Sequence, residues 1–414
     1  MCQALVALGL IIGLSCVAVP AHAAAPTPRI LLTGDSVTHG FHGDYTWRYR
    51  LAREFTRQGI PVDFVGSRTS PYVKAGWSSA QYADPSFDSD HFALGGSTLR
   101  VQAEWIGAEV TTQRPDVIVL ACGINDLRNG TTPAQTDVRL RAWIAAARAA
   151  KPDARIIISP VLDAIDPARG WLHQAILDYN ALVAATVHEL STPGSPVTLS
   201  DTTRGWSAQN LTAENLHPTP TGETLIAQRI AETLHQLGDL PSTPSIYRPT
   251  AWNRIARVQA TIKDQRAVLT WDHQALTAGR ISIRRLGYPA SLPAANYVGG
   301  TATTSVLVPG ARYEFRVQYV RGRIATPFGP VAAITAPRTK PPVAVSRVVV
   351  NGAGIRWTSS PGATHYRVTY RRAKAKRWVS VRTTGVSVRT TRAKRARVWA
   401  VNAGGRSPMR VGVR

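Results

Sequence analysis

The hydrophobic period of this chain changes once, near residue 240, and that switch limits the fold more than any other feature of the sequence. Upstream of it, short apolar runs alternate with helical patterns. Arg29-Ile30-Leu31-Leu32-Thr33 reads as a first strand, and Trp47, Leu51 and Phe55, spaced i, i+4, i+8, mark the helix after it. Residues 62–65, 116–121 and 155–159 read as further strands, with an Ala-rich helix around 139–150. Strands that are apolar throughout must be covered on both faces, which crossover helices do in a parallel sheet. Pro220 behind Thr219 marks the start of a last helix, where proline's missing N–H costs nothing, and Leu225, Ile226 and Ile230 are expected to face inward. Residues 28–237 are therefore expected to form one doubly wound α/β domain.

Downstream, a Pro- and Ser-punctuated linker at 238–249 gives way to strict alternation: Val258/Ala260/Ile262, Ala267/Leu269/Trp271, Thr304/Val306/Val308 and Tyr313/Phe315/Val317. A second linker at 336–342 introduces Ile355/Trp357, Tyr366/Val368/Tyr370 and Val398/Ala400. Alternation broken by turns describes half-buried strands of β-sandwiches. The tryptophans of LTW (269–271) and IRW (355–357), with PGARYEFRV at 309–317 and VWAVNAGGRSP at 398–408, resemble fibronectin type III modules. That resemblance implies two all-β sandwiches, over residues 250–336 and 343–414. It puts Tyr313 at the tyrosine-corner position of the first and Lys394 at that position of the second.

Charge divides at the same place. Residues 1–240 hold 18 basic and 22 acidic side chains, whereas the remainder holds 31 basic and 3 acidic. With 44% hydrophobic residues the chain can bury sizeable cores, which excludes global disorder. The apolar run from Ala4 to Val19, followed by Ala21-His22-Ala23, reads as a cleaved secretion signal over residues 1–23, with an uncleaved anchor or a lipoprotein site at Cys16 as the alternatives, and implies an extracellular protein without a later membrane span. Cys122 is then the one cysteine of the mature chain, so intramolecular disulfides and thiolate-rich metal sites are not expected.

The residues that suggest chemistry lie in loops after predicted strands, the edge where doubly wound folds bind ligands. Gly34-Asp35-Ser36 follows the first strand, and a Ser there is either an N-cap or an exposed nucleophile. Gly95-Gly96-Ser97-Thr98 brings backbone N–H groups close to a ligand or simply turns the chain. Gly123-Ile124-Asn125-Asp126 places an amide at the crevice. Glu214-Asn215-Leu216-His217-Pro218 offers an imidazole with a carboxylate three residues before it, the pairing needed to activate a hydroxyl.

Taken together, these four blocks in this order over residues 34–218 resemble the GDSL or SGNH hydrolase superfamily. The resemblance implies a flavodoxin-like three-layer α/β/α fold and a serine esterase without metal or cofactor. Ser36 would be the nucleophile and His217 the general base and acid, with an oxyanion hole from the N–H groups of Ser36 and Gly96 and the side chain of Asn125. Gly96 is chosen over Gly95 by its distance from His91, which resembles the spacing in relatives. Glu214 stands where the family has Asp; it would serve as the acid, or His217 would work in a dyad. TWRYRL (46–51), VDFVGS (62–67), Asp90-His91 and PDVIVLACGINDL (115–127) look like the acetylxylan esterases and carbohydrate deacetylases of that superfamily, although Phe92 and Cys122 depart from them. The implied substrate is an acylated carbohydrate. An arylesterase or lysophospholipase, or a surface-binding protein on a decayed hydrolase scaffold, is the alternative.

Residues 341–414 carry 17 basic and no acidic side chains, with Trp378 and Trp399 between the charge runs. Such a module is either a tether to an anionic cell-wall polymer or polysaccharide, or a solvated surface; nucleic acid is not the expected partner.

Overall fold

A computed structural model describes residues 27–72, 82–84, 86–246, 248, 255–272, 277–288, 291–338, 340–402 and 404–414. The expected signal segment lies outside them. The first part of the chain runs β1 (Arg29–Gly34), α1 (Ser36–His39), α2 (Thr46–Arg57), β2 (Asp63–Val65), β3 (Phe92–Ala93), α3 (Leu99–Gln113), β4 (Val117–Ala121), α4 (Ile124–Arg128), α5 (Pro133–Ala150), β5 (Arg155–Ser159), α6 (Leu172–Leu190), β6 (Val197–Leu199), α7 (Ala208–Leu211) and α8 (Pro220–Gln236). Its strands pair in parallel in the order β2-β1-β4-β5-β6, with β3 continuing the β2 edge against the end of β1.

The all-apolar strands are buried on both faces, as their composition requires. One apolar cluster joins Leu31, Ile118 and Ile156 to α3, α5 and α6 through Ile106, Trp143 and Tyr179. The other joins Ile30, Val119 and Ile157 to α2 and α8 through Trp47, Phe55 and Ile230. Helix α8 starts as anticipated, with Pro220 in its first turn and the Thr219 hydroxyl accepting from the Gly222 N–H. Leu225 is a correction: it is half-exposed, and Ile226, Ala227, Ile230, Ala231 and Leu234 form the buried stripe. In the segment read as a linker, Leu240 and Ile246 are buried in the same cluster, so this stretch packs on the α/β domain.

The remainder consists of antiparallel strands: β7 (Val258–Lys263), β8 (Arg266–Trp271), β9 (Ala278–Arg285), β10 (Ser291–Val298), β11 (Thr301–Val306), β12 (Arg312–Arg321), β13 (Ile324–Ala325) and β14 (Ala332–Thr335), then β15 (Val348–Asn351), β16 (Gly354–Trp357), β17 (His365–Arg372), β18 (Val379–Thr383), β19 (Ser387–Arg389), β20 (Ala393–Asn402), β21 (Gly405–Arg406) and β22 (Arg410–Val413). Each set divides into sheets of the same order, β11-β8-β7 facing β10-β9-β12-β14 in the first and β19-β16-β15 facing β18-β17-β20-β22 in the second. Each pair of sheets shares one apolar cluster, around Trp271 and Phe315 or around Trp357 and Val368, an arrangement compatible with β-sandwiches. Thr304 is buried as expected, but a register shift between Thr303 and Val306 overturns the rest of the inward set of β11. Because an extra residue reverses which side chains face the core, Leu307 is buried while Val306 and Val308 are exposed. The Tyr313 hydroxyl accepts the Val308 N–H at 3.0 Å. In the second set a different residue makes such a contact, Tyr366, whose hydroxyl accepts from Ser360 at 2.9 Å.

Candidate active site

The sheet reverses direction of growth between β1 and β4, so their C-terminal ends open a crevice between loops that diverge to opposite sides. Gly34 and Ala121 are register partners there. A Cβ on Gly34, whose φ is +139°, would lie 2.0 Å from the Ala121 carbonyl oxygen, so glycine is what lets the two strand ends meet. Asp35 caps α1 by accepting the Val37 N–H at 3.0 Å. Burial raises its carboxyl to about 7 against that bond, and the nearby Asp126 adds to the rise. Ser36 is therefore the first helical residue, with an N–H that has no intrahelical acceptor.

The loop before α8 arrives from the other side of the crevice. His217 Nε2 lies 2.9 Å from Ser36 Oγ, across 181 residues of sequence. Its Nδ1 is hydrogen-bonded to Oε1 of Glu214. Asn215 adopts a left-handed φ of +64°, which an Asn side chain tolerates, and the Ala213 N–H bonds the His217 carbonyl at 2.9 Å. This tight turn brings a carboxylate at i back onto the imidazole at i+3. The extra methylene of Glu does not leave His217 without an acid.

Ser36, Gly96 and Asn125 line the same cavity. Asn125 Nδ2 donates one proton to the Ser97 carbonyl at 2.9 Å, which leaves its second. Gly95 and Gly96 are separated by their partners: the Gly95 N–H is committed to His39 Nδ1 at 3.1 Å, whereas the Gly96 N–H has no acceptor among the described residues. With φ at +80° and open space where a Cβ would stand, Gly96 faces the cleft. Asp126 supports this wall by accepting the Leu99 N–H at 2.8 Å and pairing with Arg139 at 2.7 Å.

Residues 32–225 match the model of the GDSL-like lipase/acylhydrolase family. They form a GDSL/SGNH hydrolase domain. No curated protein matches the chain. Solved structures similar to it include an acetyl esterase (26% identity, covering 52% of this chain and 100% of that one, TM-score 0.44), a carbohydrate esterase family 3 protein from Talaromyces cellulolyticus (27%, 51% and 98%, TM-score 0.43) and a family 3 carbohydrate esterase from Clostridium thermocellum (24%, 52% and 100%, TM-score 0.43). The protein is a carboxylic ester hydrolase.

Several residues of the GDSL domain cleft escaped the sequence reading. Ser36, Gly96, Asn125 and His217 line a cavity of about 260 Å³ together with Phe41, Tyr72, Arg128 and Arg323. Phe41 meets the His217 ring edge to face at 4.9 Å. His39 is legible in hindsight, three residues after Ser36 and so on the same helical side. Burial lowers its pKa to about 4, with Arg48 and Arg68 pushing the same way, so the ring is neutral and can accept from Gly95. Arg323 carries no local signal at all, because it belongs to the β12–β13 hairpin of the first antiparallel set. Among the described residues no group of His, Cys, Asp and Glu is arranged to hold a metal ion. Cys122 is buried with its thiol pKa pushed well up by that burial, the neighbouring Asp35 and Asp126 adding to the rise.

Proposed function

We propose that this protein is an exported esterase that removes short acyl groups, chiefly acetyl, from a carbohydrate through an acyl-enzyme on Ser36. The observation that carries the reading is the unbroken chain Ser36 Oγ, His217 and Glu214 beside open N–H donors. Ser36 Oγ attacks the ester carbonyl carbon as His217 Nε2 takes the hydroxyl proton, and Glu214 holds the Nδ1 proton and steadies the imidazolium. Negative charge forming on the carbonyl oxygen is met by the N–H groups of Ser36 and Gly96 and by Asn125. The imidazolium then protonates the departing alcohol oxygen. Water, deprotonated by the same nitrogen, attacks the acyl-serine and frees the acid.

The cleft supports a small acyl group on a polar alcohol. Its walls carry Asn125, Arg128 and Arg323 with the aromatic faces of Phe41 and Tyr72, a lining suited to hydroxyl-rich rings. A long acyl chain would need an apolar channel, but the apolar cavity behind the loops, lined by Val37, Ile124, Val161, Leu216 and Ile226, holds only about 30 Å³. That is room for one or two water-sized groups. Acetate release from acetylated xylan, with p-nitrophenyl acetate cleaved much faster than the octanoate, is the expected result. Preference for octanoate or a lysolipid would overturn the substrate reading.

The two antiparallel sets are read as fibronectin type III-like modules on their shared strand order. The second presents a basic face: Arg367 and Arg371 on β17 stand beside Arg382 on β18 and Arg395 and Arg397 on β20, opposite the buried Tyr366, Val368 and Tyr370. Arg371 and Arg397 stack over Trp378. Charge held on one sheet face suits an anionic wall polymer.

A further inference from the structure

The hairpin joining β12 to β13 reaches the GDSL domain at its catalytic end. Gly322 at its tip has φ of +56°, and a Cβ there would stand 2.5 Å from Asp44 Oδ2, so the tip fits against the 43–44 loop only as glycine. The next residue, Arg323, extends into the cleft. Its Nη1 lies 2.9 Å from Glu214 Oε1, the same oxygen that holds His217 Nδ1. Its guanidinium carbon sits 3.9 Å from the centre of the Phe41 ring, and Phe41 in turn packs on His217. The imidazole is thus held by two contacts, carboxylate and ring, and Arg323 touches both holders.

We infer that Arg323 is a positioning residue for the catalytic acid, supplied to the GDSL domain by the neighbouring antiparallel module. This rests on the esterase reading above. The physical need follows from Glu at position 214. A Glu side chain has one more rotatable bond than Asp and loses more rotamer freedom when fixed, and Glu214 is partly exposed. A guanidinium braced on an aromatic face restricts that carboxylate to the orientation that meets Nδ1, as outer hydrogen-bond partners do for metal-bound histidines. Arg323 also forms part of the cleft rim, so the module is a part of the active site as well as an appendage to it.

A double-mutant cycle on the full-length chain tests this, with p-nitrophenyl acetate as substrate because it reports the ester chemistry at Ser36 without contacts to a polymer. Arg323→Ala should lower kcat about 10- to 100-fold, the usual effect of removing an outer partner, with KM nearly unchanged. Arg323→Lys, which keeps a cation over Phe41, should recover part of the loss. In a Glu214→Ala background, Arg323→Ala should change kcat less than twofold, because the group it positions is gone. Gly322→Ala, which displaces the hairpin without touching any cleft side chain, should reproduce the loss. Thermal unfolding of each variant checks the fold. Wild-type kcat in Arg323→Ala, or an undiminished penalty in the Glu214→Ala background, would overturn the positioning role while leaving the esterase intact. A wild-type chain as inert as Ser36→Ala would overturn both.

Discussion

His39 Nδ1 accepts the Gly95 N–H at 3.1 Å while its Nε2 donates to the Ser70 carbonyl at 3.0 Å. The ring therefore decides which glycine N–H of the cleft is spoken for, and it can do so only while neutral. Its folded pKa of about 4 lies below the unfolded value of about 6.5, so between those values the unfolded chain binds more protons and stability falls as pH falls. Asp35 works in the opposite sense. Its raised carboxyl binds a proton in the fold up to about pH 7, so its contribution declines as pH rises. Comparing thermal unfolding of the wild type with His39→Gln cancels Asp35 and every other shared group. Toward acid the wild type should lose stability relative to the variant, by at most about 1.4 kcal/mol per pH unit between about 6.5 and 4. Parallel curves would show that His39 is not held neutral.

Ser36→Ala should lower ester hydrolysis by about a thousandfold or more, because nucleophile and base act as a unit, with the unfolding temperature nearly unchanged. Residual hydrolysis close to wild type would place the nucleophile elsewhere.

Asn125→Ala removes the amide proposed as an oxyanion donor and should reduce kcat by about 10²- to 10³-fold, with a small effect on KM. Steady-state kinetics on p-nitrophenyl acetate decides this. A drop confined to KM would make Asn125 a substrate-binding group.

Gly34→Ala sets a methyl group against the Ala121 carbonyl and forces a side-chain-bearing residue into a backbone region L residues avoid. A loss of at least about 2 kcal/mol is expected, seen as a lower denaturation midpoint. An unchanged midpoint would mean that β1 and β4 part at little cost.

Binding of the full-length chain to polygalacturonate, a carboxylate-bearing polysaccharide, should weaken steeply as salt rises, because exposed charges are screened within about 10 Å at 0.1 M ionic strength. Glutamates in place of Arg371 and Arg397 should abolish it. Binding insensitive to salt or to these changes would assign the basic face to solvent.

What the sequence determined by itself was whatever neighbouring residues encode. The apolar runs of β1, β4 and β5 read as parallel-sheet strands because three or more consecutive branched apolar side chains need cover on both faces. Thr219-Pro220 begins a helix because the missing N–H is harmless there, and loops after strands carry Ser36, Asn125 and His217 in recognisable company. Tertiary structure decided everything that depends on distance across the chain. Only the left-handed turn at Asn215 lets Glu214 reach His217, only the His39 bond distinguishes Gly95 from Gly96, and a register shift after Thr303 turns Val306 and Val308 outward. Arg323, more than a hundred residues beyond Glu214, joins the same oxygen solely because two domains meet. Contacts of that kind arise from packing between separate folding units, and no local pattern of propensity or period records them.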